Sequence, residues 1–238
     1  MPDRNREVAP GACAPVLSAA LLARIHELNR DYVELLLAQH LAPACGRCEA
    51  GSCAESLPVK VLDALGQMSR ASRHALAATP FALCSLGFDD PQFWSAALAD
   101  VRQGTEPVEA RYGVLSAAPM HAAFCEIALF LAWHTAASNR VAARVLFALP
   151  DTLATKLVAA PLWQLRQIAM DYPGVLTPRW PANPAFWPDL VRFAAAADSR
   201  RLKTAQLVGN QLIAAELEGL GPRPGKRLSK TGLRLQVP

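Results

Sequence analysis

What this chain of 238 residues lacks narrows its chemistry at once. It has no glycine-rich phosphate loop and no His-Glu-x-x-His pair, so the usual sequence signs of nucleotide or metallohydrolase chemistry are missing. Aromatic residues make up only 7% of it, and β-branched residues are sparse beside alanine and leucine, a balance that favours helix over sheet. Its most apolar stretch, Ala122 to Trp133, is too short to cross a bilayer and contains Glu126. Arg4 and Arg6 precede a short apolar run after Ala14, but Asp3 and Glu7 stand among them and the run flows into an amphipathic pattern, which argues against a signal peptide. These absences predict a cytoplasmic protein with no catalytic site and no membrane span.

What is present points to an all-α chain with a substantial core. Apolar residues reach 52%, too many for a largely disordered polymer. The 24 basic residues are unevenly placed. From Arg192 onward there are nine basic and three acidic residues, a balance of +6, which leaves −2 for the first 191 residues of a chain with net charge +4. A near-neutral body with a basic end fits an anionic partner for that end, and it equally fits a solvated tail.

Helical spacing begins near Leu17, with Leu21, Ile25, Leu28, Tyr32, Leu35 and Leu36 on one stripe. Glycine, proline and cysteine break the pattern from Pro43 to Ser56. Further helices are expected at 58–67 and 70–78, the latter stopped by Thr79-Pro80 because proline disfavours helix in the residue before it. Asp89-Asp90 reads as a helix cap ahead of Phe93. The second half then replays the first. Leu37-Ala38-Gln39-His40 returns as Leu131-Ala132-Trp133-His134; Pro80 and Leu83 return as Pro173 and Leu176; Pro91-Gln92-Phe93-Trp94 returns as Pro184-Ala185-Phe186-Trp187. The near-constant offset predicts a tandem duplication, each copy hiding an apolar face on the other. The expected organisation is a leader (1–15), a first helical unit (16–103), a linker (104–118), a second unit (119–198), a final amphipathic helix (199–218) and a basic tail (219–238).

Two features are candidate binding sites. The spacing His40-x4-Cys45-x2-Cys48-x4-Cys53 suits one zinc ion, because a Cys-x2-Cys turn lets both sulfurs face one tetrahedral ion; reduced thiols or a local disulfide fit the same loop. The stretch after His134 has no cysteine, so the loop is not part of the repeated fold. The basic end supplies Arg200, Arg201, Lys203, Arg223, Lys226, Arg227, Lys230 and Arg234 as phosphate-neutralising groups, with nothing that specifies base reading. The helix pair 152–159 and 162–170, joined at Pro161, has the outline of a helix-turn-helix, and equally of an ordinary helical hairpin. Cys84 and Cys125, flanked by apolar residues, read as core.

The segment Leu21-Leu22-Ala23-Arg24-Ile25-His26-Glu27-Leu28-Asn29, with Tyr32 and then Leu36-Leu37-Ala38-Gln39, resembles the opening helix of the FlhD family of flagellar transcriptional regulators, given a two-residue insertion. Leu83-Cys84-Ser85-Leu86-Gly87-Phe88-Asp89-Asp90 is similar to that family's Leu-Cys segment ending in Phe-Asp. In the second half Leu157, Pro161-Leu162, Gln164-Leu165 and Ile168-Ala169 follow its middle pattern. The resemblance implies two tandem FlhD-like units packed as a pseudo-dimer, activating transcription with an FlhC-like protein or RNA polymerase while the basic end contacts DNA. The duplication, the cysteine loop and the basic tail depart from the family. A helical adaptor of a secretion or flagellar system, binding protein alone, is the competing expectation, and the oligomeric state is left open.

Overall fold

The computed structural model describes residues 17–41, 56–99 and 119–218. Helices dominate them: α1 (Ala19–Leu41), α2 (Val59–Gln67), α3 (Arg70–Ala77), α4 (Pro91–Ala99), α5 (Pro119–Ser138), α6 (Arg140–Phe147), α7 (Asp151–Ala159), α8 (Leu162–Asp171), α9 (Phe186–Ala195) and α10 (Ser199–Leu217). Two-residue strands, β1 (Cys84–Ser85) and β2 (Thr177–Pro178), complete the elements, with one 3-10 turn at Pro173–Val175. The expected helices fall where apolar spacing put them, and Asp90 caps α4, its Oδ1 accepting from Phe93 N at 3.0 Å. The leader, the linker 104–118, the cysteine loop and the basic tail lie outside the described residues.

Three elements escaped the sequence pattern, α6 and the two strands. The start of α6 follows α5 after one residue, Asn139, whose side chain accepts from Ala142 N at 3.0 Å. That cap turns the chain without any glycine or proline to announce it. The strands are too short to leave an alternating pattern.

The order helix, helix, helix, short strand, helix occurs twice, as α1–α2–α3–β1–α4 and as α5–α7–α8–β2–α9, with α6 inserted in the second run. Contacts within the two runs correspond: α1 packs on α2 and α3, and α5 packs on α7 and α8. Contacts between them are reciprocal in part, since α9 also packs on α3 without a match of like extent between α4 and α8. Helix α4 packs on α7, α9 packs on α2, and α1 meets α5. The strands pair antiparallel with Cys84 opposite Pro178 and Ser85 opposite Thr177, a register that exchanges the two runs. Even the indoles correspond. Trp94 Nε1 donates to the carbonyls of Leu86 and Gly87 (3.2 and 3.0 Å), and Trp187 Nε1 donates to that of Arg179 (2.6 Å), so each reaches back by the same step.

One continuous core runs through both runs, from Ile25 and Tyr32 through Phe81 and Trp94 to Leu129, Leu146, Phe186 and Trp187. Buried polar side chains fasten it. Asn29, fully buried, donates from Nδ2 to the carbonyls of Ala77 (3.2 Å), Thr79 (3.2 Å) and Phe81 (2.8 Å) and accepts from Leu83 N (2.8 Å). His121 on α5 does similar work: Nε2 donates to Pro173 O at 3.0 Å, while Nδ1 lies 2.6 Å from Gln39 Nε2 and accepts from it. Burial holds the imidazole below its usual pKa, in keeping with this neutral tautomer.

Helix α10 closes the bundle on α9 and α6. Its Gly209 lets the helix approach the Phe81 ring: a Cβ there would lie inside contact distance of that ring and 3.0 Å from Phe186 Cε2. Phe81 is itself pinned between Trp180 and Phe186, at 5.7 and 6.2 Å between ring centroids. Gly209→Ala therefore forfeits its ordinary gain in helix propensity of about 1 kcal/mol. A net loss of about 1–2 kcal/mol from overpacking is expected. Thermal unfolding followed by circular dichroism checks this, and an Ala variant more stable than the parent would refute the close approach.

Candidate functional site

The α9–α10 corner carries the strongest exposed charge among the described site candidates. Helix α9 ends at Ala195 with Ala196 as its cap, Ala197 takes the left-handed conformation (φ 53°), and Asp198 then caps α10, its Oδ1 accepting from Arg201 N at 3.0 Å. This tight corner places Arg192 near the end of one helix and Arg200, Arg201 and Lys203 at the start of the next, all exposed. The Arg192 guanidinium pairs with Asp189 at 2.7 Å and lies 4.6 Å from the Phe193 ring centroid; that of Arg201 lies 5.9 Å from the same centroid and 3.6 Å from Asp198. Arg200 and Lys203 have no ion pair with any described residue. The first turn of α10 has no acidic residue. Cations there add to the positive end of the helix dipole instead of opposing it, so the corner has a net attraction for anions. Arg223, Lys226, Arg227, Lys230 and Arg234 lie outside the described residues. Sequence reasoning named Arg200, Arg201 and Lys203 but missed Arg192 and its aromatic support, because a corner brings together residues that charge counting treats only as a sum.

The far end of α10 is anchored by a charge the sequence did not single out. Arg179 is buried, at 3% exposure. Its Nη1 donates to the carbonyls of Ala82 (3.3 Å) and Leu146 (3.2 Å), and Nη2 lies 3.4 Å from Glu216 Oε2. The Trp180 indole donates to the other oxygen of Glu216. Burial raises the Glu216 pKa and lowers that of Arg179, and each partner's charge opposes the effect. One guanidinium thus ties the segment before β1, the end of α6, and α10 together, which holds the basic corner on a rigid helix.

Of the proposed metal ligands, His40 alone falls among the described residues. Cys45, Cys48 and Cys53 lie outside the described residues. His40, on the last turn of α1, has Nε2 2.8 Å from Asp63 Oδ1 on α2, a partner that orients the ring and leaves Nδ1 for other use. Among the described residues no three His, Cys, Asp or Glu side chains converge on a metal position. Cys84 and Cys125 are core residues, as read, and burial pushes both thiols up to about 12, so neither holds a thiolate near neutral pH.

The 152–159 and 162–170 pair corresponds to α7 and α8, joined through Ala160 and Pro161. Helix α8 buries Leu165, Ile168 and Ala169, and Gln164 Nε2 donates to the carbonyls of Ala97 (3.2 Å) and Leu98 (2.8 Å), closing the end of α4. Its exposed side mixes Leu162, Trp163 and Met170 with Gln167, Asp171 and a single cation, Arg166, which faces Glu126. A hairpin with one cation and an exposed carboxylate on its second helix is poorly suited to following a phosphate backbone. Beside it, a cavity of about 440 Å³ opens between α4 and the α7–α8 turn, where Lys156 Nζ donates to Ser95 Oγ at 3.0 Å.

No helix among the described residues is long and apolar enough to cross a membrane. No family model, curated protein or solved structure matches the chain.

Proposed function

We propose that the protein is a transcriptional regulator of the FlhD type, an internal pseudo-dimer of two FlhD-like units that acts on DNA together with a protein partner in the cytoplasm. The reciprocal packing carries this reading: α4 on α7 answers α9 on α2, and the β1–β2 register relates the two runs by exchange. Such contacts are what a two-fold pair of identical subunits makes, here within one chain. The DNA-contacting part is the basic corner at Arg192, Arg200, Arg201 and Lys203, continued in sequence by Arg223, Lys226, Arg227, Lys230 and Arg234. The partner is an FlhC-like protein or RNA polymerase. The exposed Leu162, Trp163 and Met170 of α8 favour a second reading, a helical adaptor that binds protein alone.

Fluorescence anisotropy with duplex DNA across a salt series separates the two. A regulator binds, alone or with its partner, with an affinity that falls as salt rises, and Arg200→Glu/Lys203→Glu makes the log–log slope shallower by about 2, close to one per lost phosphate contact. Absence of salt-sensitive binding under both conditions removes the DNA role and leaves the adaptor.

A further inference from the structure

The two runs differ at one pair of matching turns. Between α2 and α3 the chain turns at Met68, and between α7 and α8 it turns at Ala160. Both residues are extended, and each backbone N–H donates into the helix just ended, to Leu65 O and to Leu157 O. Met68 is buried in the core, whereas the alanine at the matching place fills far less space. The neighbouring helices differ too: α9 packs on both α2 and α3, while α4 packs on α7 and makes little contact with α8. The short side chain and the missing contact leave the cavity of about 440 Å³, which lies against Ala160 between α4 and the α7–α8 turn. Its walls are held, because the buried Gln164 amide ties α8 to the carbonyls of Ala97 and Leu98. The lining is mostly apolar, with Leu98, Ala99, Ala159 and Trp163, and Lys156 is the one charged group among the described lining residues. Its Nζ donates to Ser95 Oγ at 3.0 Å and has no ion pair with any described residue. The first turn of α8, which no side chain caps, lines the same space and adds a partial positive charge of its own.

We propose that this cavity binds a small monocarboxylic acid with an apolar body. Sites for small molecules join an apolar lining to a few placed polar groups, in volumes of this order. Charge selects the head group. The lining offers a cation and no carboxylate, so it favours an anion, and a single ammonium matches one negative charge better than the two of a phosphate monoester. The Ser95 hydroxyl accepts from Lys156 and keeps its own proton to donate, so both groups can serve one carboxylate. The apolar part of the acid rests on Leu98, Ala159 and the Trp163 ring. Because α4 comes from the first run and α7 and α8 from the second, the occupant touches both, and its binding depends on no DNA role.

Isothermal titration calorimetry of the full chain with benzoate and hexanoate as probes tests this. At least one of the two acids is expected to bind with a Kd of about 1 mM or tighter. Benzamide, alike in shape but uncharged, binds at least about ten-fold more weakly than benzoate, because it lacks the charge-assisted bond to the ammonium. Lys156→Met weakens binding of the acid by at least about ten-fold and leaves thermal unfolding unchanged, since the side chain is exposed. Ala160→Met restores the side chain that the matching turn carries and fills the space. It is expected to abolish binding while thermal unfolding stays level or rises. No heat from either acid, or benzamide bound as tightly as benzoate, overturns the proposal. So does an affinity that Lys156→Met leaves unchanged.

Discussion

Asn29→Leu removes about 3–5 kcal/mol of stability, the sum expected when several buried backbone groups lose their only side-chain partner at a cost of about 1–3 kcal/mol each. Leucine matches asparagine in shape but offers neither donor nor acceptor. Thr79 O, Phe81 O and Leu83 N would then face apolar neighbours in a place with no access to water. These groups belong to the segment between α3 and β1, so its path is lost along with its hydrogen bonds. Urea unfolding followed at 222 nm measures the change. A loss below about 1 kcal/mol would show that the segment finds other partners and that Asn29 does not fix its course.

The second large effect concerns the buried ion pair. Glu216→Ala leaves the Arg179 guanidinium with two carbonyls and the face of the Trp180 ring, 5.0 Å away, and no counter-charge in contact, and it takes the acceptor from the Trp180 indole. Stranding one member of a buried pair costs about 3–5 kcal/mol, and the lower end applies because the Glu216 side chain is 30% exposed. Arg179→Met also destabilises, since Ala82 O and Leu146 O lose a donor. The double variant is expected to be more stable than the two single losses added together, with a coupling of at least about 1 kcal/mol. Simple additivity would mean that the two charges do not sense each other across the 3.4 Å between them.

Much of this architecture was legible in the sequence, and the reason is local. Ile25, Leu28, Tyr32 and Leu36 mark α1 because a single helix face needs only near neighbours to declare itself. Asp90 announced α4 by standing three residues before Phe93. The matched Phe93-Trp94 and Phe186-Trp187 pairs were visible as repeated anchors, and all four rings are buried.

What stayed hidden depends on distant partners. Arg179 sits among prolines and tryptophan, where a lone arginine ordinarily signals surface; its burial is set by Glu216, 37 positions away. Asn29 lies on the stretch that opens α1, in plain view, yet its four bonds reach positions 48 to 54 residues onward. The outer side of α5 was hidden for another reason: its apolar residues lie all round the helix between a few polar ones and show no clear phase, so periodicity does not tell which side faces out. For the basic corner, the charge excess was countable in advance, but the turn at Ala197 that sets Arg192 beside α10 was not.

The reciprocal contacts of α4 with α7 and of α9 with α2 have a consequence for synthesis. While the N-terminal helices leave the ribosome, the surface that α4 must cover is not yet made, and α2 waits longer still, until α9 has been translated. Neither half can complete its interior ahead of the other, so closure falls late and all at once, after most of the polypeptide has emerged. A transcript cut between the halves would yield two greasy fragments dependent on finding each other.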